Sequence, residues 1–182
     1  TRSVADRLER TTRDLSDATT VRDVVTNLPD GRLFADRMRY IIARKKRFED
    51  GAGLLLFNVE KNFGLDGLLS VEDHNSLFRT IADRIVACAR DTDMAARVDN
   101  ASFAIIVAPI PDDDSPKLLA QRITNSLVTP IEVGEHKVQC QADCEFIYRP
   151  LEEGDPEDQL ADLISGGGQQ LSLKGIAYTV PT

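Results

Sequence analysis

Apolar positions recur at helical spacing from residue 31 to 48, where Leu33, Phe34, Met38, Ile41 and Ile42 share one side. That segment follows the turn-forming Leu28-Pro29-Asp30-Gly31 and ends in Arg44-Lys45-Lys46-Arg47, cations suited to a helix C-terminus. A second stripe, Leu77, Phe78, Ile81, Ile85 and Val86, predicts a helix over 73–89. A third helix is expected over about 116–128 with Ser115 as its cap, and a fourth over about 156–165, broken by Gly166-Gly167-Gly168. Between them lie short apolar runs of strand length: 53–59, 95–98, 103–108, 136–148 and 176–180. The runs 95–98 and 103–108 flank Asp99-Asn100-Ala101-Ser102, residues that accept a tight turn, so they read as a hairpin.

Helices interleaved with strands, with antiparallel pairing by hairpin logic, predict an α/β domain with a mostly antiparallel central sheet of five strands flanked by helices. Residues 1–20 read as a charged linker or signalling helix, with Val4, Leu8 and Leu15 among dense charges, and 21–182 as the globular domain.

The chain has 182 residues, 42% hydrophobic and 29% charged, enough for one domain with a substantial core. No apolar run approaches the roughly 20 residues of a membrane span, and no secretory signal is present, so a soluble, cytoplasmic piece of a longer protein is expected. A net charge of −8 argues against broad binding to nucleic acid or acidic lipid. A small dianion held by a few arginines remains compatible with it. Cys88, Cys140 and Cys144 make an odd set without a disulfide framework. On one continuous strand Cys140 and Cys144 would lie roughly 13 Å apart, too far to bridge or share a metal, so no metal site is expected.

Chemistry concentrates in the stretch Arg90-Asp91-Thr92-Asp93-Met94-Ala95-Ala96-Arg97-Val98-Asp99-Asn100-Ala101-Ser102-Phe103. It resembles the centre of GGDEF domains, the diguanylate cyclase family, in which an RxxD motif and five further residues precede Gly-Gly-(Asp/Glu)-Glu-Phe. The opening Asp23-Val24-Val25-Thr26-Asn27-Leu28-Pro29-Asp30-Gly31-Arg32-Leu33-Phe34 is likewise similar to that family's DxLTGLPNRRLF. The resemblance implies a palm-like nucleotide-cyclase fold. It also implies a degenerate active site, because the signature positions hold Asp99, Asn100, Ala101, Ser102 and Phe103, and only the phenylalanine is kept.

Cyclic di-GMP synthesis needs two aligned GTP molecules, divalent cations and carboxylates to hold them. The resemblance places the family's metal-binding Asp of the first strand at Asn58, and the two acidic signature positions at Ala101 and Ser102. The glycines that admit a nucleotide become Asp99 and Asn100, which add bulk and negative charge. Guanine-reading positions fall on Asp66 and Asn75, and the phosphate-gripping YxAK helix on Gln170-Leu171-Ser172-Leu173, with Lys174 one position beyond. Loss of the metal carboxylates removes the electrostatic stabilisation that dominates phosphoryl transfer, so no catalytic residues and no enzyme activity are expected. Asp112-Asp113-Asp114 reads as a solvated turn.

The resemblance leaves one site intact. In many GGDEF domains RxxD binds product, and here it corresponds to Arg90 and Asp93, with a further family arginine at Arg122. Arg47-Phe48-Glu49-Asp50 also spells RxxD but lacks the five-residue spacing to the signature that Asp93 has. The chemistry suits guanine, whose O6 and N7 accept from a guanidinium fork and whose N1–H and N2–H donate to a carboxylate. The structural alternative is a surface ion pair worth about 0–1 kcal/mol. Arg97 is a further candidate phosphate contact, and Arg79 and Arg84 are nearby surface charges.

Taken together these features imply a catalytically inactive GGDEF domain acting as a cyclic di-GMP receptor. It would control recruitment or localisation in bacterial signalling, as in the ligand-sensing class that includes an alphaproteobacterial cell-cycle effector. The competing reading is a nucleotide-independent homodimerisation or partner-docking scaffold.

Overall fold

The structure is a computed structural model that describes residues 22–175 apart from 49, 50, 66, 68, 111–113 and 142. The expected helix over 3–17, the strand over 176–180, Asp66, Asp112 and Asp113 lie outside the described residues.

Helix α1 spans Gly31–Phe48 and strand β1 Gly53–Asn58; α2 (Val59–Phe63) and α3 (Val71–Cys88) follow. The hairpin β2 (Met94–Arg97) and β3 (Ser102–Val107) leads to α4 (Ser115–Leu127), a small ribbon of β4 (Ile131–Val133) and β5 (His136–Val138), then β6 (Asp143–Pro150), α5 (Pro156–Ile164) and β7 (Gln169–Lys174). The main sheet has five strands in the order β2-β3-β1-β6-β7, with every pairing antiparallel.

Strand alternation sends successive side chains to opposite faces, and each face is covered by its own pair of helices. On one face Leu55, Phe57, Phe103, Ile105 and Phe146 pack against Leu77, Phe78, Ile81 and Ile85 of α3 and Leu119, Ile123 and Leu127 of α4. On the other, Leu54, Leu56, Ala104 and Ile106 meet Phe34, Met38 and Ile41 of α1 and Leu160 and Leu163 of α5. Central strands β1 and β3 are thus apolar on both faces except at their paired ends, Asn58 and Ser102, as a sheet covered on both sides requires.

Three boundaries depart from the sequence reading for identifiable reasons. The expected strand 136–148 is two strands, because the chain leaves the β4–β5 ribbon and bends before joining the main sheet at Asp143. Ser115 is the first residue of α4 rather than its cap; Asp114 holds the cap position with no capping hydrogen bond from its side chain, and Pro116 fixes the first turn. Val86 is 50% exposed and stands off the α3 stripe, where Ala82 is buried instead. Helix α3 is capped by Ser70, whose hydroxyl accepts from the Asp73 N–H at 3.1 Å, so it begins at Val71 rather than at Asp73.

Past Ile164 no helix continues through Gln170–Leu173. Gly166 and Gly168 adopt φ of 97° and 148°, and the chain turns directly into β7. Leu173 lies opposite Cys144 in the ladder, and Gln169 opposite Tyr148.

Candidate functional site

Arg90 and Asp93 bracket the turn between α3 and β2, closed by the Asp93 N–H donating to the Arg90 carbonyl at 3.0 Å. One carboxylate oxygen of Asp93, Oδ2, accepts from the Arg90 backbone N–H at 2.9 Å and from Nε at 3.3 Å. Its Oδ1 accepts from Arg90 Nη2 at 3.1 Å and from the Ala108 N–H at 3.3 Å. Arg90 Nη2 also donates to the Pro109 carbonyl at 2.9 Å.

The Asp93 side chain is only 1% exposed whereas that of Arg90 is 40% exposed. A fork held through Nε and Nη2 on a buried carboxylate leaves Nη1 without a hydrogen-bond partner among the described residues. Both lone pairs of each Asp93 oxygen are used internally. The carboxylate therefore fixes the arginine rather than facing outward.

Arg122 reaches the same place from α4. Its Nε and Nη2 donate to the Cys88 carbonyl at 3.3 and 3.2 Å, which caps the C-terminal end of α3. Arg90, Asp93 and Arg122 line one pocket of about 100 Å³ together with Val107, Ser115, Leu118 and Leu119. The three residues singled out in the sequence are thus brought together. Arg97 is not among them: it is 9% exposed, pairs with Asp23 at 3.2 Å, donates to the Asn100 carbonyl at 3.0 Å and packs 4.4 Å from the centre of the Phe78 ring. Arg84 is likewise structural, donating to the carbonyls of Ser126 and Thr129 at 2.7 and 2.9 Å.

A second locus forms where β1 meets the β2–β3 hairpin. Asn58 and Ser102 are register partners, and Asn58 Nδ2 lies 3.5 Å from Ser102 Oγ. Asn58 also caps α2, its Oδ1 accepting from the Lys61 N–H at 2.9 Å. Ala101 donates its N–H to Asp99 Oδ1 at 2.8 Å, so the Asp99 carboxylate tightens the turn. Asn58 and Gln170 line a pocket of about 280 Å³ spanned by an ion pair of Lys61 Nζ and Glu145 Oε2 at 2.7 Å. Hydrogen bonding to Lys61 holds the Glu145 carboxyl below its usual range. Among the described residues no three or more His, Cys, Asp or Glu side chains are grouped so as to hold a metal ion.

Sequence reasoning missed the closeness of Cys140 and Cys144. Their thiols share a hydrogen bond beneath α4, because β5 belongs to the ribbon with β4 while β6 joins the main sheet, so the two cysteines do not lie on one continuous strand. The hydrogen bond with Cys144, reinforced by burial, pushes the Cys140 thiol up.

The family model for "Diguanylate cyclase, GGDEF domain" matches residues 20–164. The chain belongs to the GGDEF family. Among solved GGDEF structures, that of TpbB, also called YfiN, from Pseudomonas aeruginosa is similar at a TM-score of 0.70 and 21% identity, covering 80% of this chain and 86% of that one. The GGDEF domain of FimX from the same organism gives 0.69 at 15% identity, covering 82% and 92%. DgcB from Caulobacter crescentus, solved as its coiled coil and GGDEF domain with c-di-GMP, gives 0.66 at 16% identity, covering 90% and 88%. At these identities the likeness concerns the palm-like GGDEF fold. No curated protein matches the chain by sequence. Among the described residues no helix of this GGDEF domain is long and apolar enough to cross a membrane.

Proposed function

We propose that this GGDEF domain is catalytically inactive and serves as a receptor for cyclic di-GMP, bound through Arg90 and Arg122 with Asp93 holding Arg90 in position. The observation that carries the reading is the convergence of these three side chains, from two separate elements, on one pocket. The pocket is too small to enclose a dinucleotide, so the ligand sits on the surface with a guanine edge against Nη1 of Arg90, the nitrogen that Asp93 and Pro109 do not engage. A carboxylate beneath the arginine holds the guanidinium in one orientation, which lowers the ordering cost of binding.

Inactivity is supported by the second locus. A neutral amide and a hydroxyl in mutual contact do not fit a pair of divalent cations, which need carboxylate oxygens. Asp99 puts negative charge where triphosphate would approach, and the Lys61–Glu145 pair spans the adjoining pocket. Ligand held at the α3–β2 turn and α4 would present a composite surface to a second copy or to another protein, which is the output proposed here.

Thermal unfolding tests both halves together. Cyclic di-GMP is expected to raise the transition temperature of the wild type and not of Arg90→Ala, and GTP with magnesium to leave both unchanged. A shift with GTP and none with cyclic di-GMP would favour an allosteric GTP domain instead; no shift with either would favour the nucleotide-independent scaffold.

A further inference from the structure

Helix α4 buries Pro116, Leu119, Ala120, Ile123, Thr124 and Leu127 against the sheet. Leu118 is off that stripe and 55% exposed. Spacings of three and four residues place Ser115, Leu118 and Arg122 in one row along the helix, and all three line the pocket that holds Arg90 and Asp93. Of the large apolar side chains that stand exposed among the described residues, Val24, Tyr40, Val71, Val86 and Leu118, only Leu118 lines this pocket.

We infer that Leu118 is a specificity-determining residue that covers one face of the purine whose edge Arg90 reads. The inference rests on the receptor reading and adds to it a contact of a different kind. Guanidinium groups hold the polar edge and phosphate of a nucleotide, but they select weakly between a base and any other anion. An aliphatic wall beside the fork rewards a flat heterocycle specifically, because ring and leucine remove apolar surface from water together. Leu118 therefore makes the site one for a purine dinucleotide rather than for phosphate or a carboxylate. Ser115, one turn toward the N-terminus of the same row, lines the same pocket.

Calorimetric titration of cyclic di-GMP into the wild type, Leu118→Ala, Leu118→Met and Arg90→Ala tests this. The inference predicts binding weakened about tenfold in Leu118→Ala, near wild-type binding in Leu118→Met, and loss in Arg90→Ala. Because Leu118 is exposed, the thermal transition of unliganded Leu118→Ala should match that of the wild type. Wild-type binding with Leu118→Ala within twofold of it would overturn the role of Leu118 and leave the receptor reading standing. Absence of binding to the wild type would overturn the receptor reading, and this inference with it.

Discussion

Asn58 Nδ2 stands 3.5 Å from Ser102 Oγ, across the β1–β3 ladder. Two neutral groups occupy the junction of the first strand and the hairpin, and Asn58 also caps α2 through its Oδ1. Ser102 is only 2% exposed, so a carboxylate introduced there would be taken out of water. The expected outcome is no cyclic di-GMP formed from GTP and magnesium by the wild type. The variant Ser102→Glu should lose about 2–4 kcal/mol of stability without gaining turnover. A nucleotide product assay by chromatography, run beside denaturant unfolding, checks both; product from the wild type would refute inactivity.

The Arg97–Asp23 pair ties the hairpin to the entrance of α1, and Arg97 also stacks on Phe78. Arg97→Ala is expected to cost about 2–3 kcal/mol, less than for a fully buried pair because Asp23 retains some solvent contact. Urea unfolding measures it, and a cost within 0.5 kcal/mol of zero, the range usual for surface substitutions, would show that the pair is incidental.

The same pair predicts an acid dependence. Burial raises the Asp23 carboxyl, but the Thr26 hydroxyl and N–H, together with Arg97, more than offset it, so the group titrates below its ordinary value of 3.8. A depressed folded-state pKa means that ionised Asp23 stabilises the fold at pH values above the unfolded value, and that this contribution disappears as pH falls through the folded one. Asp23→Asn should therefore be less stable than wild type near neutrality and show a shallower loss of stability below about pH 4. Parallel acid limbs for the two proteins would contradict the assignment.

Gly168 has φ of 148°, and a Cβ there would lie 2.5 Å from the Tyr148 carbonyl oxygen. Gly168→Ala is expected to lower stability by about 2 kcal/mol or more by forcing β7 from β6. An unchanged transition temperature would show that β7 is dispensable to the fold.

Cys140 and Cys144 are buried, whereas Cys88 is partly accessible. Iodoacetamide should modify Cys88 first and reach the other two only when the protein unfolds. Peptide mass mapping at increasing urea tests this, and early labelling of Cys140 would show that the β5–β6 connection opens in the native state.

The helices were legible because each carries a stripe of large apolar residues at one period, and β1 and β3 because both of their faces are apolar. What escaped the sequence depends on tertiary context. Ile131, Glu132 and Val133 alternate over too few residues to announce a strand, and the bend before Asp143 has no local signal, so the two cysteines seemed far apart. In β7, Gln169–Lys174, only Leu171 and Leu173 are apolar, because one face of an edge strand is solvated. At the candidate site the resemblance to the family's RxxD motif, with its five-residue spacing to the signature, pointed to Arg90 and Asp93, and the family's further arginine to Arg122. That Asp93 is spent on Arg90 and Ala108 could not be read without the fold, since it depends on where β3 ends. The fold also removed Arg97, which Asp23 and Phe78 claim.

The central claim is that Arg90 is aimed at a ligand by a buried carboxylate. Isothermal titration of cyclic di-GMP into the wild type and Arg90→Ala measures it most directly. Saturable binding in the wild type that disappears in a folded Arg90→Ala variant is the predicted result. No binding to the wild type up to high micromolar ligand, or equal binding by both proteins, would contradict it.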